Sequence, residues 1–256
     1  MCLILLAIEM HPKYKLVMAA NRDEFYDRPS APARFWQETP VLLAGRDLKA
    51  GGTWQGITRH GRLGMITNYR DHTSVKKSTP SRGKLLARFL QGRRTPLGYL
   101  QEVQLEGERY NGFNLIVGDP KQLYWYSNRN GHALALAPGL YGLSNHLLDT
   151  PWPKVTRGKE RMAGLLAAKK KGLDSDALFR LLQDRHIPPD ANLPDTGVGL
   201  EWERTLSPIF VSSPTYGTRS STVLLIDQQD RVTFVERTFN GHPRFTSSVK
   251  HEFKLD

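Results

Sequence analysis

The chain has one cysteine in 256 residues, Cys2. That scarcity excludes an internal disulfide, a CxxC pair and any multi-cysteine metal site, and it fits a reducing, cytoplasmic setting. Long apolar runs are missing too. The stretch LILLAI near the start has no basic region before it and no small-residue cleavage site after it. It reads as a strand, so neither a signal peptide nor a transmembrane segment is expected. The eight histidines show neither HxH nor HExxH spacing, and no metal site is assigned. Gly83-Lys84 lacks the upstream glycine of a phosphate-binding loop, which removes nucleotide hydrolysis. Internal repeats and low-complexity tracts are absent.

Acidic residues are the scarcer charge, 25 against 36 Lys plus Arg, for a net charge of +11. Such a surplus favours anionic partners. Part of it reads as solvated surface: the lysines that close VTRGKERMAGLLAAKKKG stand where cations oppose a helix dipole. With no zinc finger or RRM-like signature beside the charge, nucleic acid is not the expected partner.

What is present is an ordinary globular composition, 39% hydrophobic and 24% charged, read here as one domain over residues 1–256. Leu3 to Glu9 and Lys15 to Ala20 read as strands around a turn at His11-Pro12-Lys13. Residues 25 to 40 are proline-rich and read as a loop, and ITRHGRLGMITNYRD reads as a hairpin turning at His60-Gly61. SRGKLLARFLQG has helical spacing, with Ser81 to cap it and Gly92 to stop it. Strands return from Tyr110 to Asn145. Helices are expected around Lys159 to Lys171 and Ser175 to Gln183, then a loop over Ile187 to Gly199. A last hairpin, RSSTVLLID and RVTFVERTF, turns at Gln228 to Asp230. Hairpins with helices inserted in blocks predict an α+β fold of antiparallel sheets covered by helices.

Two readings of Cys2 stand. It packs on a strand as a small hydrophobe, or it becomes the N-terminal residue once Met1 is removed, carrying a thiol and a free α-amine. If the first hairpin turns near Pro12, paired residues have numbers summing to about 24, which sets Cys2 opposite Arg22 with Asn21 and Asp23 alongside. Arg22 would favour the thiolate, the α-amine would accept the thiol proton, and Asp23 would orient that amine. Adjacent side chains on a strand point to opposite faces, so Arg22 and Asp23 serve Cys2 equally only if the strand ends or bulges there.

The ordered set Met1-Cys2, Asn21-Arg22-Asp23-Glu24, GGTWQG, TNYRD, YNGFNL, LSNHLLDTPWPKV and TRSSTVLLID resembles the NRDE family, also called the transport and Golgi organisation family, over most of the chain. The resemblance implies an N-terminal-nucleophile-hydrolase-like fold, a four-layer αββα sandwich of two antiparallel sheets. Bile-salt hydrolases and penicillin V acylases share that architecture. By analogy with them Cys2 is the expected nucleophile, Arg22 and Asp23 its neighbours, Asn145 and Asn68 oxyanion donors, and Arg219 a support. Asn21, Arg22, Trp54 and Arg219 are the expected ligand contacts. Trp54 serves equally well as a core anchor, and Gly51, Gly52 and Gly56 as turn or close-approach positions. Two functions follow from the resemblance: a part in haem trafficking or lipid homeostasis, with a small anionic amphipathic ligand as partner, haem as cargo and no cofactor required, or a cysteine amidohydrolase with an amide substrate.

Overall fold

A computed structural model describes residues 2–168 and 172–256. Met1, the Cys2 side chain and the lysines at 169–171, which the sequence placed at a helix end, lie outside the described residues. The chain forms two compact units.

The first unit comprises Met1–Asp27, Pro138–Ser144 and Leu148–Phe253. Strands β1 (Cys2–His11) and β2 (Tyr14–Phe25) form the first hairpin. Its register is Cys2↔Arg22, Leu3↔Asn21 and Ile4↔Ala20, the pairing expected from a turn at Pro12. With β10 (Gly139–Leu143), β11 (Tyr216–Asp227), β12 (Arg231–Thr238) and β13 (Ser247–Lys254), they make a sheet of order β10-β1-β2-β11-β12-β13. β2 therefore runs five residues beyond Ala20 and carries the whole Asn21–Glu24 cluster inside the sheet. The central strands are buried on both faces, which is why LILLAI is continuously apolar rather than alternating.

Leu3, Leu5, Ala7, Val17 and Ala19 on one face pack against helix α3 (Pro153–Ala167) and helix α4 (Ser175–Leu182) through Val155, Met162, Leu166, Leu178 and Leu181. Helix α3 begins earlier than its apolar spacing indicated. Pro153 occupies the first turn, where its fixed φ and missing N–H suit a helix start. A short helix, α5 (Leu200–Leu206), follows Gly199 at φ 83°.

The second unit comprises Arg28–Ala137, Asn145–Leu147 and Lys254–Asp256. Its sheet has the order β3-β4-β5-β6-β7-β8-β9. The strands are β3 (Ser30–Phe35), β4 (Leu42–Asp47), β5 (Gln55–Thr58), β6 (Leu63–Asn68), β7 (Phe113–Asp119), β8 (Gln122–Ser127) and β9 (Leu134–Leu136). Helices α1 (Arg82–Gln91) and α2 (Pro96–Glu106) cover it through Leu85, Leu86, Phe89, Tyr99, Leu100 and Val103.

Two readings change here. The proline-rich stretch contains β3, because an edge strand with a register break between Ala31 and Arg34 tolerates Pro32. Helix α2, opened by Thr95 accepting from the Gly98 N–H at 3.2 Å, carries too weak an apolar face to announce itself. Ser81 does stand before α1, though its side chain makes no cap hydrogen bond. In the GGTWQG motif Gly51 adopts φ 76°, and a Cβ on Gly52 would lie 2.4 Å from the Gly83 carbonyl carbon, so both are backbone requirements.

Both units are antiparallel sheets with helices, the α+β class expected. Among the described residues, no helix is long and apolar enough to cross a membrane.

Candidate functional site

Within the first unit the ladder sets Cys2 opposite Arg22, and Arg22 in turn opposite Ser220 on β11. Asp23 pairs with Thr218, so Arg219 is the extra residue of a bulge on β11. The bulge is on the neighbouring strand, and β2 itself continues. Arg22 and Asp23 therefore keep the alternation of a strand, and Asp23 shares its face with Asn21, on the side of the α3 and α4 packing.

Asn21 is buried, and its two amide hydrogens go to the carbonyls of Leu182 and Ile209 at 2.8 Å each. Its Oδ1 accepts from Ser221 Oγ at 2.6 Å. That set of bonds ties β2 to the helical layer and leaves no Asn21 amide hydrogen for a ligand.

Asp23 is 1% exposed. Thr218 Oγ1 donates to its Oδ1 at 2.7 Å, and the Tyr216 hydroxyl donates to its backbone carbonyl at 3.1 Å. Burial pushes the Asp23 carboxyl above the usual aspartate range. The charge of Lys154, the Thr218 hydrogen bond and Arg22 all pull it back.

Lys154, in the first turn of α3, is itself 4% exposed and donates through Nζ to the Leu206 carbonyl at 2.9 Å. Arg22 is buried, with Nη2 3.8 Å from Glu24 Oε2. Arg219 donates through Nη1 to the carbonyls of Phe25 and Tyr26, each at 2.8 Å. Burial first, and then the like charge of Arg22, lower its basicity.

The other expected residues belong to the second unit. Asn68 ends β6, and its carbonyl accepts from Asn145 Nδ2 at 2.9 Å; the Asn145 carbonyl accepts from the Arg70 N–H at 2.7 Å. Of the two amides proposed as oxyanion donors, that of Asn145 is thus bound to the main chain of Asn68. Trp54 is half-buried, and its ring lies on Gly45, where an added Cβ would sit 2.3 Å from the indole.

Several side chains beside these carry chemistry that sequence reasoning passed over. The Tyr69 hydroxyl and His146 Nε2 are 2.7 Å apart, and their rings are 4.8 Å apart. Asn114 donates to the His146 carbonyl at 2.9 Å. Burial lowers the His146 pKa and raises that of Tyr69, which favours a neutral phenol beside a neutral imidazole. Each of these residues directly follows one of the two asparagines, which was the available signal. Among the described residues no group of three or more His, Cys, Asp or Glu could hold a metal ion.

The first unit therefore brings together Asn21, Arg22, Asp23, Arg219 and the Cys2 backbone, and the second joins Asn68 to Asn145. A structural likeness and a set of sequence relatives accompany this geometry. The chain superposes on a mutant of the conjugated bile acid hydrolase of Clostridium perfringens with a TM-score of 0.54 at 8% identity, covering 100% of this chain and 92% of that one. That likeness shows a fold of the N-terminal-nucleophile hydrolase kind. In sequence, it is 40% identical to the transport and Golgi organization protein 2 homolog of Bos taurus, with 100% and 99% of the two chains covered. Identity to the Homo sapiens homolog is 38%, covering 93% of each chain. Drosophila melanogaster transport and Golgi organization protein 2 is 26% identical, with coverage of 94% and 93%. Residues 1–241 match the family described as Transport and Golgi organisation 2, and the chain belongs to that family.

Proposed function

We propose that this protein serves haem or lipid homeostasis in the cytoplasm by holding an anionic amphipathic ligand, such as haem, an acyl-CoA or a related lipid, beside Arg22 and Arg219. The observation that carries this reading is the placing of two arginines at the β11 bulge, where buried Arg22 pairs with Ser220 and Arg219 is the extra residue. A carboxylate or phosphate there would meet two cations, and guanidinium binds both anions through paired N–H donors. The net charge of +11 acts in the same direction at longer range.

Titrating haem, an acyl-CoA and a generic oligonucleotide at low and physiological salt tests it. Saturable haem or acyl-CoA binding that weakens in Arg22→Ala is expected. Steeply salt-dependent oligonucleotide binding with no small-ligand saturation would overturn it.

A second reading, a cysteine amidohydrolase, is favoured by the Cys2↔Arg22 register. In it the Cys2 thiol gives its proton to the α-amine freed by loss of Met1. The thiolate attacks the amide carbonyl, the C–N bond breaks as the leaving amine takes that proton, and water hydrolyses the thioester to acid and thiol. Intact-mass measurement on natively expressed protein tests the first requirement, a mature chain starting at Cys2. Screening acyl-amides with Cys2→Ala as the blank tests the second, and equal turnover in both proteins would rule out the thiol.

A further inference from the structure

The sequence contains three Asn-Gly steps, at Asn111, Asn130 and Asn240. An Asn-Gly step is prone to spontaneous deamidation, because glycine has no side chain to hinder the approach of its main-chain nitrogen to the asparagine side chain. The covalent chemistry open to the three is the same, so the fold decides between them.

Asn111 is locked. Its Oδ1 accepts from the Lys76 N–H at 2.8 Å, and its Nδ2 donates to the Lys76 carbonyl at 3.2 Å and to Thr79 Oγ1 at 3.0 Å. Gly112, whose nitrogen would attack, is buried. Asn130 is exposed in the turn between β8 and β9, but there the attacking nitrogen is engaged. The Gly131 N–H donates to the Ser127 carbonyl at 3.0 Å, and the Gly131 carbonyl accepts from Gln104 Nε2 at 2.8 Å. Asn240 is exposed in the connection between β12 and β13. Among the described residues, neither its side chain nor the Gly241 N–H makes a hydrogen bond.

We propose that Asn240 is a deamidation site of the folded protein and that its conversion acts on Arg219. The Gly241 main-chain nitrogen gives its proton to hydroxide and attacks Asn240 Cγ, closing a succinimide ring as ammonia leaves with a proton from solvent. Water then opens the ring at either carbonyl. The products are aspartate, or isoaspartate with its main chain running through the former side-chain methylene. Two contacts carry the change to Arg219. The Phe239 N–H, one residue before the site, donates to the Arg219 carbonyl at 2.8 Å. Gly241 lies against the Tyr26 ring, where an added Cβ would come within 3.1 Å, and the Tyr26 carbonyl accepts from Arg219 Nη1 at 2.8 Å. Isoaspartate lengthens the chain between these two holds, and both products place a negative charge there. Any consequence for a ligand rests on the anion-binding reading above; the modification and its effect on Arg219 do not.

The native protein is incubated at neutral and mildly alkaline pH, and peptides covering the three sites are followed by mass spectrometry with electron-transfer fragmentation, which separates aspartate from isoaspartate. Each hydrogen bond that must open first slows ring closure roughly fivefold, so Asn130 should lag Asn240 by about fivefold and Asn111 by more than about tenfold. In urea the three rates should converge. Equal rates in the folded protein, a lead by Asn111 or Asn130, or the folded order persisting in urea overturns the assignment.

Amide hydrogen exchange at Phe239 reads the effect on Arg219 with no ligand present. Aged wild type should lose protection there, and aged Asn240→Gln, whose longer side chain closes a ring far more slowly, should keep it. Unchanged protection in converted protein removes the link to Arg219. Haem and palmitoyl-CoA titrations of the same samples separate the two ideas. Fresh protein that binds neither sinks the anion-binding reading and leaves the modification standing. Weaker binding by aged wild type than by aged Asn240→Gln supports both.

Discussion

Asn145 is fully buried, with its amide already committed to the Asn68 carbonyl, so its loss is a structural event before it is a chemical one. Asn145→Ala should lower stability by about 1–3 kcal/mol in denaturant melts, since it strands a buried acceptor. A loss of activity in that variant is interpretable only after the stability change is known. His146 offers a milder probe. Burial lowers its pKa, so the folded state favours the neutral ring. Its contribution to stability is complete above the unfolded value of about 6.5 and falls away as pH drops through that value toward the lower folded one. Histidine NMR should find it titrating below the ordinary range. Tyr69→Phe removes the hydroxyl partner of the ring, so the same spectra should show the titration displaced from its wild-type position, upward if the hydroxyl is the donor.

At the scale of elements, the first hairpin was legible because Pro12 fixes its turn and the register follows by counting. The conflict noted between adjacent Arg22 and Asp23 was legible as well. Its resolution was not, because the bulge belongs to β11, some 200 residues away in sequence, and Asp23 faces the helices. Strand β3 was hidden by Pro32, which reads as loop unless the strand is known to be an edge. The weight of Lys154 was invisible for the same nonlocal reason: one lysine in a basic chain gains meaning only from burial against Leu206. Helix α3 carries a direct test of the packing that positions it. Met162 is fully buried in the core shared with Leu3 and Leu5. Met162→Ala should therefore cost about 2–5 kcal/mol by the same melts. Leu105, on α2 and 90% exposed, should tolerate substitution within about 0.5 kcal/mol.

For the molecule as a whole, the central pairing joins the first and last parts of the chain: Asp23 meets Thr218 and Leu16 meets Ile226. Contacts of that separation slow folding, and a chain cut before Tyr216 should fail to give a cooperative thermal transition by circular dichroism. The same ladder has a consequence for the protein as it is being made. At ribosomal rates of about 5–20 residues per second, β2 waits on the order of 10–40 seconds before β11 is available to pair with it. During that interval an apolar hairpin with an open edge is exposed, a form that other chains or chaperones can pair with or shield. Asp23 receives the hydroxyl of Thr218 only after the 195 residues that separate them in sequence have been translated. Prematurely terminated products would therefore carry the cysteine without the surroundings that give it a role, and the assembled cluster is a mark of a finished chain.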